Sequence, residues 1–501
     1  MLQQLTQNTK SVAQDTVEWA LAHGVGFKTG PFTTTHAPFT LTPTTISRDR
    51  FDTLKSKAGV LGKLIHGVSE DDKFIQGAIE PLVDGDPFFR HLYTKFKELQ
   101  VDGLGSEKRL PLLIMRSDFM DDAIVGPKLI EFNSIAAGMG PFGEKVHDLH
   151  NYVQTQHSST WKEYTTTTTA TIAGSNGLVE NTAINSLANG IASATLKIKN
   201  EFNDDGPPRF LMIVQPNEDN VLDQHLLEYA LQKKGIQTIR KSFRELHNTL
   251  KTGEVKEDGG GSRLILDGIG TIDTVYLRSG YLHCDYYAAD LDDKENCCQS
   301  LLKTRTFLEQ HRVAMNATLR QQMASSKRVQ TLLSEMEPLD LTKFGLSLEE
   351  AVTVKELLPR NFPVTEKTID WIEANQIDLD DWVLKNQGEG GGHAIFGKDI
   401  ITKLEQLSSK DYDAWCIMQR LKPAPRTAPT ILVRKGEPEI CLDLISEIGV
   451  FTVHTDGVPE NENGYAGYLI RSKPSLTTEG GVHSGMGVLD SLMYTSEPAV
   501  N

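Results

Sequence analysis

The order of apolar and polar positions divides the chain into a largely helical first part and a later part in which strands and helices alternate. Val12, Val17, Ala20 and Leu21 recur at helical spacing over residues 11–24, and Gly24 supplies a stop. Residues 31–43, with their Thr and Pro, predict extended, irregular chain. Residues 49–102 carry Leu54, Val60, Leu64, Phe74, Ile79 and Leu92 at intervals that predict helix. Two apolar runs, 110–116 and 128–133, read as a pair of strands. Residues 158–169, with the threonine run after Tyr164, read as a loop or an edge, and helical spacing returns over 178–199.

Beyond residues 203–208, a linker by composition, the pattern changes. Strands are expected at 209–214, 237–240 and 274–277, a helix at 221–234, and a hairpin-like turn at Gly259–Gly261. This alternation predicts a small α/β unit over 207–315, set between 1–206 and 316–501. Its strands end in Gln215 and in Arg278-Ser-Gly-Tyr281. Ligands of open α/β sheets lie beyond such carboxyl ends, so Arg278 reads equally as a surface arginine or a substrate contact. Helical spacing then resumes from Leu301 to Glu335 and includes Lys327.

The richest stretch for chemistry is 382–397, where the strand end Val383-Leu384-Lys385 runs into a loop with Gly388, Glu389, Gly390, Gly391 and Gly392. Glycines let backbone N–H groups approach an anion, the lysine offers charge to a phosphate, and the lone carboxylate is suited to a magnesium ion. Glycine runs on their own are commonly flexible connections, but the strand, Lys385 and Glu389 favour nucleotide binding. Gly392 to Asp399 falls one residue short of a P-loop, because Asp399 stands where the metal-binding hydroxyl is required, and the P-loop is rejected. Upstream, Glu131 and Asn133 sit two apart on a strand and so share a face. They form a hard oxygen pair for Mg²⁺, or else an exposed alternating strand. A second glycine loop, 479–485, lies close to Arg471 and Lys473. Together these pieces predict an ATP-dependent enzyme.

Composition narrows the class. The 501 residues suffice for two or three domains, and the 39% hydrophobic and 24% charged content is that of a soluble protein. A formal charge of −16 argues against nucleic acid or an anionic membrane as the main partner. Five cysteines without a C-x-x-C pair indicate neither a zinc site nor a disulfide framework. No signal-peptide layout and no 18-residue apolar run is present, so a cytoplasmic protein is expected, with a processed secreted form as the alternative.

Ten stretches resemble the eukaryotic glutathione synthetases of the ATP-grasp superfamily. They are residues 115–118, 131–133, 213–215, 220–224, 275–281, 326–330, 383–392, 445–449, 469–473 and 480–485, in that family's order. The resemblance implies an α/β fold with an ATP-grasp body, an inserted substrate domain, glycine-rich lid loops and a homodimer. It implies a ligase that phosphorylates the cysteinyl carboxylate of γ-glutamylcysteine and lets glycine attack the acylphosphate. By similarity Glu131, Asn133 and Glu389 would hold Mg²⁺. Lys327, Lys385, Gly390, Gly391 and Gly392 would bind the ATP phosphates, with Glu447, Lys473 and the Met418–Leu421 stretch around the rest of the nucleotide. Arg116, Gln215, Arg278, Tyr281 and Arg471 would hold the peptide, with Arg116 and Arg471 closest to the chemistry. Val482 and His483 would belong to the closing lid.

The resemblance also marks departures. Ala136 and Gly138 stand where that family has two serines that bind γ-glutamylcysteine, and each lost hydrogen bond would cost roughly 0.5–1.5 kcal/mol. Asn386, Gly388, His393 and Ala394 change the first glycine loop, Asp219 replaces an arginine, and His483-Ser484 replace two alanines. In the homoglutathione branch this last place varies with the acceptor. The leading expectation is therefore a synthetase-type ligase of reduced efficiency or altered substrate choice. The alternatives are a different acceptor or donor, or an effector-like binding protein with little turnover.

Overall fold

A computed structural model describes residues 5–101, 108–165, 177–256, 259–292, 298–388, 394–426, 428–477 and 480–495. The fold is mixed α/β, organised around one 13-stranded sheet. Its hub is the strand Leu110–Asp122. Along one side the hub pairs antiparallel with Leu444–Thr455 from Leu112 to Met120. On the other side it pairs first in parallel with Ala314–Asn316, at Leu110 and Pro111, and then antiparallel with Gly126–Asn133. The parallel wing continues through Thr274–Leu277, Arg209–Ile213 and Gln237–Lys241. The other wing continues through Tyr465–Pro474, Val488–Asp490, Phe39–Thr40, Thr430–Arg434 and Glu437–Cys441, all antiparallel except the parallel pairing of Val488–Asp490 with Phe39–Thr40.

Side-chain alternation along the hub feeds two cores. Leu112 and Ile114 point to a layer with Phe142, Ile191, Phe210 and Phe451, whereas Leu113 and Met115 face Phe51, Leu54, Leu61 and Phe132. The apolar stripe of the helix Arg48–Glu70, capped by Ser47, whose hydroxyl accepts from Arg50 N, closes the second layer. A separate four-stranded antiparallel sheet, Asn361–Pro363, Trp415–Gln419, Trp382–Asn386 and Ala394–Phe396, has its own core around Ile372, Leu384, Ile400 and Ile417.

Several sequence expectations change here. The stretch 49–102 is three α-helices, Arg48–Glu70, Asp72–Ile79 and Pro87–Val101. Leu178 to Thr182 is not helical, because both amide groups of Asn181 bond the backbone of Tyr468 and Leu178 bridges Met493. The helix starts at Ala183. Ser158–Tyr164, read as loop or edge, is helical and buries Trp161 and Tyr164. The span 301–335 is interrupted by the buried strand Ala314–Asn316, after which caps at Thr318 and Ser326 restart the helix. The threonines beyond Thr165 lie outside the described residues. Cys298 is disulfide-bonded, where the cysteine pattern had indicated no disulfide framework.

Candidate active site

Four adjacent strands present one polar face. Arg116 lies opposite Asn133, Asp118 opposite Glu131 and Gly449, and Glu447 opposite Arg471. Residues two apart on a strand share a face, so the ladder collects these side chains without any loop. Gly449 makes the room, since a Cβ there would lie 2.7 Å from Arg116 Cδ and 2.9 Å from Asp118 Oδ1.

Asp118 is the fixed point. Its carboxylate takes two bonds from Arg116, at 2.6 and 2.8 Å, one from Asn133 Nδ2 at 2.9 Å and one from Arg471 Nη2 at 3.1 Å. Arg116 Nη1 also donates to Gly138 O at 3.1 Å. Arg471 forms a second ion pair with Glu447. Sequence reasoning gave Asp118 no role, although its place two residues after Arg116 at a strand end was the available signal.

Charge is concentrated around Glu131. Burial opposes its ionisation, but Lys327, Lys385, Arg471 and Arg116 outweigh that and hold the carboxyl down at about 2. Lys327 Nζ is 3.9 Å from Glu131 Oε2 and donates to Gly388 O at 2.9 Å. Burial pushes the Lys385 ammonium below its ordinary value, with Glu131 pulling the other way. Burial also works against the charge of Arg471, yet Glu447 and Asp118 hold its pKa above the ordinary value. Burial pushes the Glu447 carboxyl up, against Arg471.

A cavity of about 700 Å³ opens onto this face. Arg116, Glu131, Asn133, Glu447 and Arg471 form one wall, and Gln215, Arg278 and Tyr281 another. Val482 and His483 reach it from the second glycine loop. Arg278 is buried and donates from Nη1 to Asp223 Oδ2 at 3.1 Å, while Asp223 also accepts from Met139 N and Phe142 N. A Cβ on Gly138 would meet Arg278 Nη2 at 2.3 Å, so the guanidinium packs where a side chain at 138 would start. Gln215 Nε2 donates to the Tyr281 hydroxyl at 3.3 Å and to Asp285 at 2.8 Å. Burial, with Asp285 and Glu218 adding, pushes the Tyr281 phenol up to about 12. His483 Nδ1 is 3.6 Å from Asp219 Oδ2, and its ring lies 4.4 Å from that of Phe27.

Three cavity residues, Glu218, Asp219 and Asn220, were given no site role, although the matching stretch 220–224 pointed at their loop. Asn220 is buried and its Oδ1 accepts nothing among the described residues.

The nucleotide-side residues lie on the four-stranded sheet and beside it. Met418, buried, pairs with both Asn361 and Val383, and Leu421 is buried just past that strand. Gln387 joins this sheet to the main body by accepting from Arg328 N at 3.1 Å and donating to Ala414 O. Lys473 is on the strand Tyr465–Pro474, opposite Ile445. Glu389, Gly390, Gly391, Gly392 and His393 lie outside the described residues.

The donor set fits a hard cation. Glu131 is held ionised, and Asn133, whose Nδ2 is committed to Asp118, keeps its carbonyl oxygen for a ligand role. Among the described residues, His91, His283 and Cys298 also cluster, but the Cys298 sulfur is already in a disulfide.

Residues 6–494 match the family model described as "Eukaryotic glutathione synthase, ATP binding domain". The chain is 28% identical over 501 residues to the glutathione synthetase of Homo sapiens, covering 97% of each. It is 29% identical over 468 residues to the chloroplastic glutathione synthetase of Solanum lycopersicum, covering 91% of this chain and 77% of that one. Among solved structures, a glutathione synthetase-like effector from Globodera pallida in apo form superposes with a TM-score of 0.71 at 18% identity, covering 98% of each chain.

Proposed function

The chain belongs to the eukaryotic glutathione synthase family, and from that premise we propose that it is an ATP- and Mg²⁺-dependent ligase forming an amide from a γ-glutamyl dipeptide and a small amine. The observation that carries this reading is Glu131, held ionised among four cations at the wall of a large cavity. Such a cluster suits a polyphosphate and a transferring phosphoryl group better than a neutral ligand.

In this reading Lys327 and Lys385 pair with the phosphates, and Met418, Leu421, Glu447 and Lys473 contact the remainder of the nucleotide. Glu131, Asn133 and Glu389 would hold Mg²⁺, which would supply charge neutralisation to the phosphates. Arg278, Gln215 and Tyr281 orient the donor. Arg116 and Arg471, each already braced by Asp118, keep the activated carboxylate aligned with the amine, so positioning rather than a covalent nucleophile supplies the catalysis. Val482 and His483 close the acceptor side. The units 1–206, 207–315 and 316–501 and a homodimer complete the proposal by family resemblance.

A second reading, a binding protein with little turnover, is favoured by one observation: the Arg278 guanidinium fills the space over Gly138, leaving no hydroxyl at either 136 or 138. The structural similarity to a protein described as an effector points the same way. ADP release with Mg-ATP, γ-glutamylcysteine or other γ-glutamyl dipeptides, and glycine, β-alanine or serine tests the pair. Donor-dependent ADP release with a matching product mass supports the ligase. Thermal stabilisation by Mg-ATP with no ADP release under any combination overturns the ligase and supports the binding protein.

A further inference from the structure

Beside the main cavity lies a smaller chamber of about 170 Å³. Most of its exposed lining is apolar, from Phe88, Phe89, Phe132, Ile135 and Leu282, while Asp86, His283 and the buried amides of Gln322 and Gln387 add polar groups to the wall. The two spaces share Asn133, Ile135, Tyr281 and Leu282 as a common wall. Gly388, whose carbonyl accepts from the phosphate-side Lys327, is also part of its wall. The chamber therefore adjoins the point where the donor carboxylate would meet the nucleotide.

A cavity of about 150 Å³ lined by Leu, Ile and Phe is large enough to take benzene. The chamber is thus oversized for a thiol and matched to a branched or aromatic side chain. Gln322 adds a polar cue. Its Nε2 donates to Gly280 O at 2.9 Å, while its buried Oε1 accepts nothing among the described residues. That open acceptor suits the peptide N–H of a donor whose side chain passes into the chamber, and satisfying it would remove the cost of an unpaired buried oxygen.

We propose that this chamber binds the side chain of the donor residue whose carboxylate is activated, and that the preferred donor is a γ-glutamyl dipeptide ending in an apolar residue of leucine to phenylalanine size. This rests on the ligase reading and specifies its substrate class.

The test compares γ-glutamylcysteine, γ-glutamylalanine, γ-glutamylleucine and γ-glutamylphenylalanine as donors for the full chain with Mg-ATP and a fixed acceptor. We expect kcat/KM for the leucine or phenylalanine donor to exceed that for cysteine by roughly 10–100-fold, the range that added methylenes reach in an apolar pocket. Phe88, partly exposed and lining only the chamber, is the site for a filling variant. Phe88→Trp is expected to erase most of the preference while γ-glutamylalanine changes by less than about 3-fold. Equal or better use of γ-glutamylcysteine, or a preference that Phe88→Trp leaves intact, overturns the proposal. Should no donor be turned over, the ligase reading fails, and calorimetry with the same dipeptides and Mg-ADP decides the chamber alone. Tighter binding of γ-glutamylphenylalanine than of γ-glutamylcysteine supports it, and the reverse order overturns it.

Discussion

At Glu131, one carboxylate offsets the mutual repulsion of Lys327, Lys385, Arg471 and Arg116. Its folded pKa of about 2 is below that of the unfolded chain, so its stabilisation is fully present above the ordinary carboxylate range and is lost as pH falls towards 2. Glu131→Gln is expected to lower the stability of the ligand-free protein by about 2–3 kcal/mol at pH 7. In urea titrations the gap to wild type should close between roughly pH 5 and pH 2. A gap independent of pH would show that the cations do not depend on this carboxylate. Gly138 makes a second residue-scale prediction. Since a Cβ would sit 2.3 Å from Arg278 Nη2, Gly138→Ser must push Arg278 off Asp223 into the cavity. Donor KM should move by about 10-fold or more with ATP KM nearly unchanged, and steady-state kinetics with each substrate varied in turn would show it.

The second glycine loop carries His483 into the main cavity. His483 joins it to Asp219 across the cavity mouth and rests on Phe27. Both side chains are exposed, so their polar contact contributes little, and the ring contact adds about 0.5–1.5 kcal/mol. His483→Ala should therefore leave thermal stability within about 1 kcal/mol of wild type. Its effect should fall on the acceptor KM and on which amine is preferred, measured across glycine, β-alanine and serine. A variant with unaltered acceptor preference would place the selecting contacts elsewhere.

Across the whole molecule, buried neutral histidines add to the sensitivity to acid. Burial holds His150 at about 3 and His454 at about 4, and the His150 ring nitrogens are engaged by Thr40 and Ser491. A histidine whose folded pKa is depressed binds its proton mainly in the unfolded chain. The stability it permits is thus complete above the unfolded pKa and is lost as pH falls through the region below about 6.5. Each site should cost roughly 2 kcal/mol by pH 5. Melting curves from pH 7.5 to 5 should slope downwards, and His150→Asn and His454→Asn should flatten the slope even if they lower stability at neutral pH. The four-stranded sheet with its own core gives a second global expectation. A nucleotide gripped between it and the main body stabilises the folded chain by about 2.7 kcal/mol at 100 times Kd.

Local pattern determined the hub strand, the Glu131–Asn133 pair, the α/β class and the family resemblance, because strand periodicity and short motifs are carried by neighbours in sequence. Element limits were less legible. Leu178–Thr182 is held out of the helix by Asn181 gripping Tyr468, and 301–335 is broken because Ala314–Asn316 is needed as a buried strand. Both are decided by partners far along the chain, which local propensity does not contain. The same holds for the site. Arg116, Asp118, Gly449 and Arg471 converge through register between three strands, and the meeting of Gly138 with Arg278 and of His483 with Asp219 follows from packing. The apolar chamber beside Asn133 belongs wholly to tertiary structure, since its walls come from segments centred on Phe88, Ile135, Leu282, Gln322 and Gly388 and no one of them encodes a void.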